Sequence, residues 1–321
     1  MIIGFHLENL TFRGTTNAVK DYAYFNQTLL DNTSIFFYKK GLMDIAYDEN
    51  GLKKHEIFQS FKNGYDVIEY TDIDDLDKKS RQYGCDYFYF LKAGFNDGIV
   101  LKNTKSLIHC VFNYYQPHGY RYAYVSEWLA NQNNSDFIPH IVNLPRIPQR
   151  RILDIPTDKL VIGRYGGYDQ FDISFVYNII KFIVDNDPDI YFVFVNTRPF
   201  IGQPHPQIKF LDAIIDPQEK TDFICSCDAM LHARSDGESF GLSIMEFLFH
   251  NKPVLSFGKG RDKHNVQQLN RYGLIYNNEY ELLQAIFKLK NKLYKDRYCS
   301  IAEQFSPSIV MDKFNKVFLE N

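Results

Sequence analysis

Short runs of apolar residues alternate, along most of the chain, with segments whose apolar residues recur every three or four positions. Ile190 to Val195 shows the first pattern, and Thr16 to Leu30, with Tyr22 and Phe25 on one side, shows the second. An uninterrupted apolar run of strand length is typical of a strand buried on both faces, and the wider spacing is typical of an amphipathic helix. The alternation predicts an α/β fold with parallel sheets and crossover helices.

In the earlier part of the chain the pattern predicts strands at 1–7, 34–38, 65–68, 87–91, 106–112 and 123–125, with helices at 16–30, after 51 and at 75–83. In the later part it predicts strands at 160–163, 190–195, 207–211, 229–232 and 253–257, with helices at 173–186, 218–225, 240–251, 280–289 and 307–319. Between Phe137 and Pro156 prolines interrupt any period, which indicates a linker.

The sequence therefore predicts two Rossmann-like domains, at 1–145 and 146–305, and a closing helix within 306–321. We expect the two domains to face each other across a cleft, because open α/β sheets bind ligands at the carboxyl ends of their strands.

Composition narrows the class of protein. The 321 residues carry 36 Lys and Arg against 39 Asp and Glu, a formal charge of -3, which lacks the basic excess of a general nucleic-acid binder. No run of 18 apolar residues and no signal peptide is evident, so we expect no integral membrane segment and a cytoplasmic protein. The five cysteines form no CxxC pair, and we expect them to be reduced.

The most informative segment runs from His232 to Phe257, HARSDGESFGLSIMEFLFHNKPVLSF. It contains two glutamates, Glu238 and Glu246, separated by seven residues, and a Gly-Glu-x-Phe-Gly core that leads into a predicted helix. This segment resembles the EX7E region of retaining GT-B glycosyltransferases of the family 4 type. Phosphates bind well at helix N-termini, so a nucleoside diphosphate sugar suits the segment physically.

The resemblance implies roles for several residues in this segment. Glu238 would act at the donor sugar as a catalytic residue and Glu246 would bind the ribose. The remaining donor-binding positions that it implies are Arg234, Ser239, Phe240, Gly241 and Leu242. The alternative interpretation is that Glu238 caps the helix and Glu246 lies on a solvated face.

Val161-Ile162-Gly163-Arg164 resembles the Gly-Arg that opens the donor domain in this family, where the arginine binds the diphosphate. The chain departs from the family six residues later, because Gln170 stands where a lysine is usual. Either phosphate binding is weaker than in the family, or Arg234, Lys259 or Arg261 substitutes for that lysine. Tyr272 to Tyr276 resembles the family's last strand, and the closing helix would return to the N-terminal domain.

The first half matches the family more loosely. The turn from Thr11 to Asn17 stands where the family has a Gly-rich loop, which makes Gly14 and Thr15 candidate donor-binding residues or parts of a plain turn. His109 lies in the predicted strand at 106–112 and matches loosely the position after the corresponding strand where the family often places a histidine, which makes it a candidate catalytic residue. His118 and Ser126 are candidates for the acceptor side. Each histidine has an ordinary alternative, a core residue for His109 and a turn residue for His118.

Asp72-Ile73-Asp74 matches a DxD metal motif, but it lies in an acidic run that is more typical of a solvated loop. We therefore predict no metal site. The sequence as a whole predicts a retaining transferase that moves a sugar from a nucleoside diphosphate donor to a hydroxyl of a glycan or small molecule, without cofactor or essential metal. A nucleotide-sugar epimerase and a non-catalytic binder stay open, and a DNA glucosyltransferase is disfavoured by the charge. The nucleotide, sugar, acceptor and oligomeric state also stay open.

Overall fold

The computed structural model describes residues 1–8, 10, 14–43, 54–149, 152–272, 275–293 and 297–320. The chain folds as two units, the first formed by Met1–Ile141 together with Phe305–Asn321 and the second by Val142–Gln304. Each unit is built around a parallel β-sheet, so the predicted α/β class is confirmed. No helix in the described part of the chain is long and apolar enough to cross a membrane.

The elements of the first unit follow one another as strand and helix in the predicted alternation. They are β1 Ile2–Leu7, α1 Gly14–Thr28, β2 Thr33–Lys39, α2 Lys54–Lys62, β3 Asp66–Tyr70, α3 Ile73–Gln82, β4 Tyr87–Lys92, β5 Lys105–Cys110, β6 Arg121–Tyr124, α4 Glu127–Asn133 and β7 Asp136–Phe137. The described strands form one sheet of seven in the order β3-β2-β1-β4-β5-β6-β7. All of its pairings are parallel, because helices or long loops carry the chain back between strands.

The second unit repeats the plan with an additional small sheet. Its elements are β8 Leu160–Tyr165, α5 Ser174–Asn186, β9 Ile190–Val195, β10 Ile208–Leu211, α6 Pro217–Ser226, β11 Ala229–His232, β12 Gly237–Glu238, α7 Leu242–Phe249, β13 Val254–Phe257, β14 Asp262–Lys263, α8 His264–Leu269, β15 Ile275–Tyr276, α9 Glu279–Lys290 and α10 Cys299–Glu303. The main sheet has the order β10-β9-β8-β11-β13-β15, and β12 pairs with β14.

The chain ends with α11, Pro307–Phe314, and a π-helical turn, Asn315–Leu319, which belong to the first unit. Phe314 stacks on Tyr22 of α1 with ring centroids 5.4 Å apart, and the Tyr87 hydroxyl donates to the carbonyl of Leu319 at 3.3 Å. The predicted closing helix is therefore present, and its aromatic side chains complete the core of the first unit.

Buried strands explain why the apolar runs predicted the sheets. All six residues of β4 are buried, and so are four of the six residues of β8. The elements missed by the prediction are the short ones, namely α4, β7, β12, β14, α8 and α10, which are too brief to show a period. Thr11, Phe12 and Arg13 of the predicted turn, and Gly273 and Leu274 of the predicted last strand, lie outside the described residues.

Candidate active site

The strand order of the second unit reverses between β8 and β11, since β9 and β10 continue to one side and β13 and β15 to the other. Ligands of open α/β sheets bind outside the carboxyl ends of the strands at such a point. Two basic side chains mark this edge, because Arg164 lies near the carboxyl end of β8 and His232 is the last residue of β11. The loop that follows β11 leads to Glu238.

Two side chains hold Glu238, one at the end of β11 and one on the loop that follows β11. Its Oε1 atom accepts a hydrogen bond from His232 Nε2 at 3.0 Å, and its Oε2 atom accepts one from Arg234 Nη1 at 3.1 Å. The Glu238 side chain is 14% exposed, so the carboxylate is largely shielded yet reaches the surface of the unit. A carboxylate has about four lone-pair positions, which leaves room for further donors such as hydroxyl groups.

The same contacts set the charge of Glu238. Burial alone would raise the pKa of this carboxyl, but the hydrogen bond from His232 and the positive charge of Arg234 outweigh it, and the net pKa lies below the ordinary value. Glu238 is therefore ionised at neutral pH, and it acts as a fixed hydrogen-bond acceptor.

A buried chain of hydrogen bonds orients His232. Asn265 Nδ2 donates to Ser256 Oγ at 2.8 Å, and Ser256 Oγ lies 2.8 Å from His232 Nδ1. In the neutral imidazole the carboxylate of Glu238 fixes the proton on Nε2, so Nδ1 accepts the serine hydroxyl proton. The Tyr276 hydroxyl also donates to the carbonyl of His232 at 2.9 Å. Four elements of the second unit thus position one carboxylate.

Backbone geometry explains the glycines on either side of Glu238. Gly237 has a φ of +69°, and a Cβ atom placed there would lie 2.0 Å from the carbonyl oxygen of Asp262 on β14. Gly241 has a φ of +81° and is the N-cap of α7. Only glycine adopts these conformations without strain, so the Gly-Glu-x-Phe-Gly pattern is required by the turn itself.

The N-terminus of α7 begins directly after this turn. No side chain of a described residue caps it, and the N–H groups of the first helical turn, which starts at Leu242, have no acceptor within the helix. Phe240 is buried and stacks on His264 of α8, with ring centroids 5.3 Å apart and planes 20° apart. Ser239, which separates Glu238 from Phe240 in the sequence, is half-buried. The helix therefore begins at Leu242, four residues after Glu238 and two residues later than predicted, and its first N–H groups are suited to an anion.

Glu246 is buried within α7 and is 5% exposed. Its Oε1 atom lies 3.3 Å from Lys220 Nζ of α6, and the same ammonium lies 5.3 Å from the centre of the Tyr165 ring. The Tyr165 hydroxyl is buried and has no hydrogen-bond partner among the residues that the structure describes. The solvated-face alternative for Glu246 is thus not what the structure shows, because this carboxylate lies in a polar cluster beneath the surface.

Arg164 is 4% exposed and already binds protein acceptors. Its Nη1 atom donates to the carbonyl of Asn196 at 3.2 Å and to the hydroxyl of Thr197, and its Nη2 atom donates to the carbonyl of Gly167 at 2.9 Å. Burial lowers the pKa of Arg164 to about 10, with the charge of Glu238 acting in the opposite direction, so the guanidinium stays charged. Arg164 therefore ties the loops after β8 and β9 together and places positive charge near Glu238.

The candidates to replace the family lysine occupy different places. Gln170 is half-buried and its N–H donates to the carbonyl of Gly167 at 3.0 Å. Lys259 is exposed, and Arg261 pairs with Asp236 at 3.2 Å. Of the three basic candidates, Arg234 is the one that hydrogen-bonds Glu238.

The predicted first-half residues lie in the first unit. Gly14 and Thr15 are exposed and form the start of α1. Ser126 is the N-cap of α4, where its hydroxyl accepts from the N–H of Leu129 at 3.4 Å. This capping contact explains why a serine stands directly before α4.

His109 lies in the core of the first unit and is 0% exposed. Its Nε2 atom donates to the carbonyl of Ile138 at 2.8 Å, which requires Nδ1 to accept from the Tyr89 hydroxyl at 2.7 Å. The rings of Tyr22 and Phe318 pack against it at 5.5 and 5.8 Å. Burial lowers the pKa of His109 to about 4. Both ring nitrogens are thus used within the protein, as in the core-histidine alternative, and neither points to a ligand.

His118 lies on the loop after β5 and is half-buried. Its Nδ1 atom donates to the carbonyl of Gln116 at 2.7 Å, as in the turn-residue alternative. The Nε2 atom has no hydrogen-bond partner in the described part of the structure.

The acidic motif has a structural explanation. Asp72 is the N-cap of α3 and accepts from the N–H of Asp75 at 2.9 Å, while Asp74 is exposed and pairs with Lys102 at 2.9 Å. Among the described residues no group of three or more His, Cys, Asp and Glu side chains is arranged to hold a metal ion.

Sequence reasoning missed His232, Ser256 and Asn265. The available signal was a histidine at the end of a predicted strand and six residues before Glu238, but its significance depends on the pairing of β11 with β13, which brings Ser256 beside it. Lys220, the partner of Glu246, was missed because it lies 26 residues away on another helix.

Solved structures share the whole architecture. The chain is similar to HepE of Anabaena, solved in complex with UDP and glucose, with a TM-score of 0.72 and 12% identity over 98% of both chains. It is similar to a glycosyltransferase from Rickettsia africae, with a TM-score of 0.69 and 13% identity over 100% of this chain and 99% of that one.

A third similar structure is described as a putative UDP-N-acetylglucosamine 2-epimerase from Listeria monocytogenes, with a TM-score of 0.56 and 10% identity over 97% of this chain and 94% of that one. No protein-family model and no curated protein matches the chain. At these identities the likeness shows the fold, and the fold is GT-B.

Proposed function

We propose that the chain is a glycosyltransferase that moves a sugar from a nucleoside diphosphate donor to an acceptor hydroxyl, with retention and without an essential metal. The observation that carries the proposal is the fixed carboxylate of Glu238, held by His232 and Arg234 one turn before the N-terminus of α7. An ionised acceptor beside an anion-binding helix end suits a ligand that joins a sugar to a diphosphate.

The leaving group of this reaction is a nucleoside diphosphate, on which negative charge develops as the glycosidic bond breaks. Arg164, Arg234 and the first N–H groups of α7 would stabilise that charge, since fixed donors and cations act strongly in a shielded site. Because these groups are held by contacts within the unit, little reorganisation is needed during the reaction.

Glu238 would accept hydrogen bonds from sugar hydroxyls and so hold the sugar in one orientation. Glu246, in its cluster with Lys220 and Tyr165, would accept from the ribose hydroxyls. The EX7E pairing of Glu238 and Glu246 is thereby given two separate tasks. We assign no donor contact to His109, because its nitrogens are used in the core. The acceptor would be held by the first unit.

Similar structures support the choice of donor to test. One of them is described as a complex with UDP-glucose, so uridine diphosphate sugars are the first candidates. Likeness to the Listeria protein keeps a nucleotide-sugar epimerase as the second candidate. An epimerase interconverts sugars on the nucleotide, whereas a transferase releases nucleoside diphosphate when its acceptor is present.

Calorimetric titration with UDP, UDP-glucose and UDP-N-acetylglucosamine in EDTA tests the donor site. We expect binding of UDP and of one or more of the sugar nucleotides, and we expect Arg164→Ala to weaken UDP binding by about tenfold because a buried positive charge near the diphosphate is lost. Arg297→Ala, which removes a 79% exposed arginine of the same unit, is the control for the loss of one positive charge, and the Tm of both variants is measured to check folding. Equal binding by Arg164→Ala and wild type would move the diphosphate site elsewhere, and a need for metal would contradict the metal-free mechanism.

A further inference from the structure

Four aromatic side chains on two neighbouring loops of the first unit are exposed to solvent. Phe95 follows β4, and Phe112, Tyr114 and Tyr115 follow β5; they are 45%, 41%, 46% and 57% exposed. We call these four residues the aromatic shelf. Exposed apolar groups are normal when scattered, but a cluster of large rings indicates an interaction site.

The aromatic shelf lies on the functional edge of its sheet. β4 and β5 are adjacent and parallel, so both loops leave the sheet at its carboxyl edge. Open α/β sheets bind ligands along this edge, and the shelf is therefore placed where a substrate of the first unit would be expected.

Hydrogen bonds fix the two loops to each other. The N–H of Asn96 donates to Gln116 Oε1 at 2.8 Å, and the Tyr122 hydroxyl lies 2.6 Å from the carbonyl of Gly94 and 2.7 Å from that of Tyr114. The Tyr124 hydroxyl donates to the same Tyr114 carbonyl at 2.7 Å. The surface is thus formed before a ligand arrives, which reduces the entropy lost on binding.

Two of the four rings contact each other, and α4 anchors the loop that carries the other two. The Phe95 and Tyr114 rings meet edge to face, with centroids 5.7 Å apart. Asn133 of α4 donates through Nδ2 to Asn113 Oδ1 at 2.7 Å and anchors the second loop. Asn96, Asn113 and Gln116 are exposed and each is next to a shelf residue in the sequence, so the two loops also present side-chain amides.

Charge decides which class of ligand fits the shelf. The two connections, 93–104 and 111–120, contain two residues with a permanent charge, Asp97 and Lys102. Asp97 is paired with Lys92 at 2.6 Å, and Lys102 with Asp74 at 2.9 Å. Single-stranded nucleic acid and anionic membranes are bound through groups of lysines and arginines, whereas these connections carry one paired lysine. The shelf therefore suits an uncharged ligand, with flat apolar faces for the rings and polar groups for the amides.

A pyranose has this combination, because its C–H faces are apolar and its edge carries hydroxyl groups. Aromatic faces carry partial negative charge and attract such C–H groups, while amides bind hydroxyls. We propose that the aromatic shelf binds a neutral oligosaccharide, and that this oligosaccharide is the acceptor of the transfer. The acceptor role rests on the proposed function, whereas the binding itself does not.

The test measures glycan binding in the absence of nucleotide. Purified protein is titrated with maltoheptaose, cellohexaose, chitopentaose and mannopentaose, and ligand contacts are followed by saturation-transfer NMR. We expect at least one of these to bind, and Phe95→Ala and Tyr115→Ala each to weaken it by about fivefold or more, as for truncation of an aromatic anchor. Tyr280→Ala, at a 68% exposed tyrosine of the second unit, is the matched control.

Thermal unfolding and UDP titration of the same variants separate the possible failures. Both should match wild type, because the shelf residues contribute to neither the core nor the second unit. The proposal is overturned if none of the four oligosaccharides binds, or if the variants bind them as tightly as wild type. It is also overturned if light scattering shows a dimer that the variants dissociate, since the shelf would then be a contact between copies. Failure of the wild-type protein to bind UDP would instead count against the proposed donor site.

Discussion

Replacing Glu238 by glutamine tests whether its carboxylate only stabilises the loop or also acts on the donor sugar. The substitution keeps the shape of the side chain and one acceptor atom for His232, but it turns an amide NH2 toward Arg234, which also donates. Two hydrogen bonds of 3.0 and 3.1 Å to a charged group are affected, and such bonds contribute about 1.5 to 3 kcal/mol each to stability. One of them is replaced by a neutral bond, so we expect a loss of about 2 to 3 kcal/mol.

For a unit of this size each kcal/mol corresponds to about 2 to 4 °C, so Glu238→Gln should lower the Tm of the second unit by roughly 4 to 12 °C. The assay is release of nucleoside diphosphate, measured well below the Tm of the variant. We expect the rate to fall by about 100-fold or more, as when a fixed polar contact with the reacting group is removed.

The Tm and the rate of nucleoside diphosphate release together distinguish the possible roles of Glu238. Glu279→Gln, at an exposed glutamate on α9, is the control and should alter the stability by less than about 1 kcal/mol and leave the rate unchanged. If Glu238→Gln is destabilised but retains the wild-type rate within about threefold, Glu238 is a structural residue of the loop. If its Tm is also unchanged, the contacts with His232 and Arg234 do not hold the carboxylate.

Three further predictions concern pH, backbone and ribose. The pKa of His109 is about 4 in the folded state, against 6.5 for a free histidine in the unfolded state. The free energy of unfolding should therefore decrease as the pH falls between these values, by up to about 1.4 kcal/mol per pH unit from this residue. In urea titrations at several pH values, His109→Gln should show a weaker dependence of that free energy on pH. Gly237→Ala, whose Cβ would lie 2.0 Å from the Asp262 oxygen, should lower the Tm and slow donor turnover, whereas Gly202→Ala, with nothing within 4 Å, should do neither. Wild type should prefer UDP to 2′-deoxyUDP by about tenfold in calorimetry, and Glu246→Gln should abolish that preference; a preference that persists in the variant would exclude Glu246 as the ribose contact.

The sheets could be predicted because their central strands are buried on both faces, and an apolar run such as Ile190–Val195 has few other interpretations. The two-residue strand Gly237–Glu238 could not, because its partner Asp262–Lys263 is 25 residues away and neither segment has a period. The only local sign of this strand in the sequence is the glycine at 237, which the positive φ at that position favours.

The candidate site shows the same division. Glu238 and Glu246 were recognisable from their spacing and glycine neighbours, but the partners that fix them come from distant elements. His109 was expected to contact the donor because it loosely matches the position where the family often places a histidine, yet its surroundings depend on Phe318, more than 200 residues later in the chain, whose ring packs against it. Whether a histidine faces a ligand or the core depends on the order of the strands in the sheet and on which later segments of the chain pack over it. Both depend on residues far away in the sequence.

The proposed activity is tested most directly by incubating the purified chain in EDTA with a panel of nucleoside diphosphate sugars and candidate oligosaccharide acceptors. The measurement is nucleoside diphosphate released, together with the mass and anomeric configuration of the glycan. Our account predicts that one donor yields a glycan larger by one sugar with its anomeric configuration retained, and that Glu238→Gln does not. An epimerised nucleotide sugar without transfer, or no turnover of any donor, would contradict it.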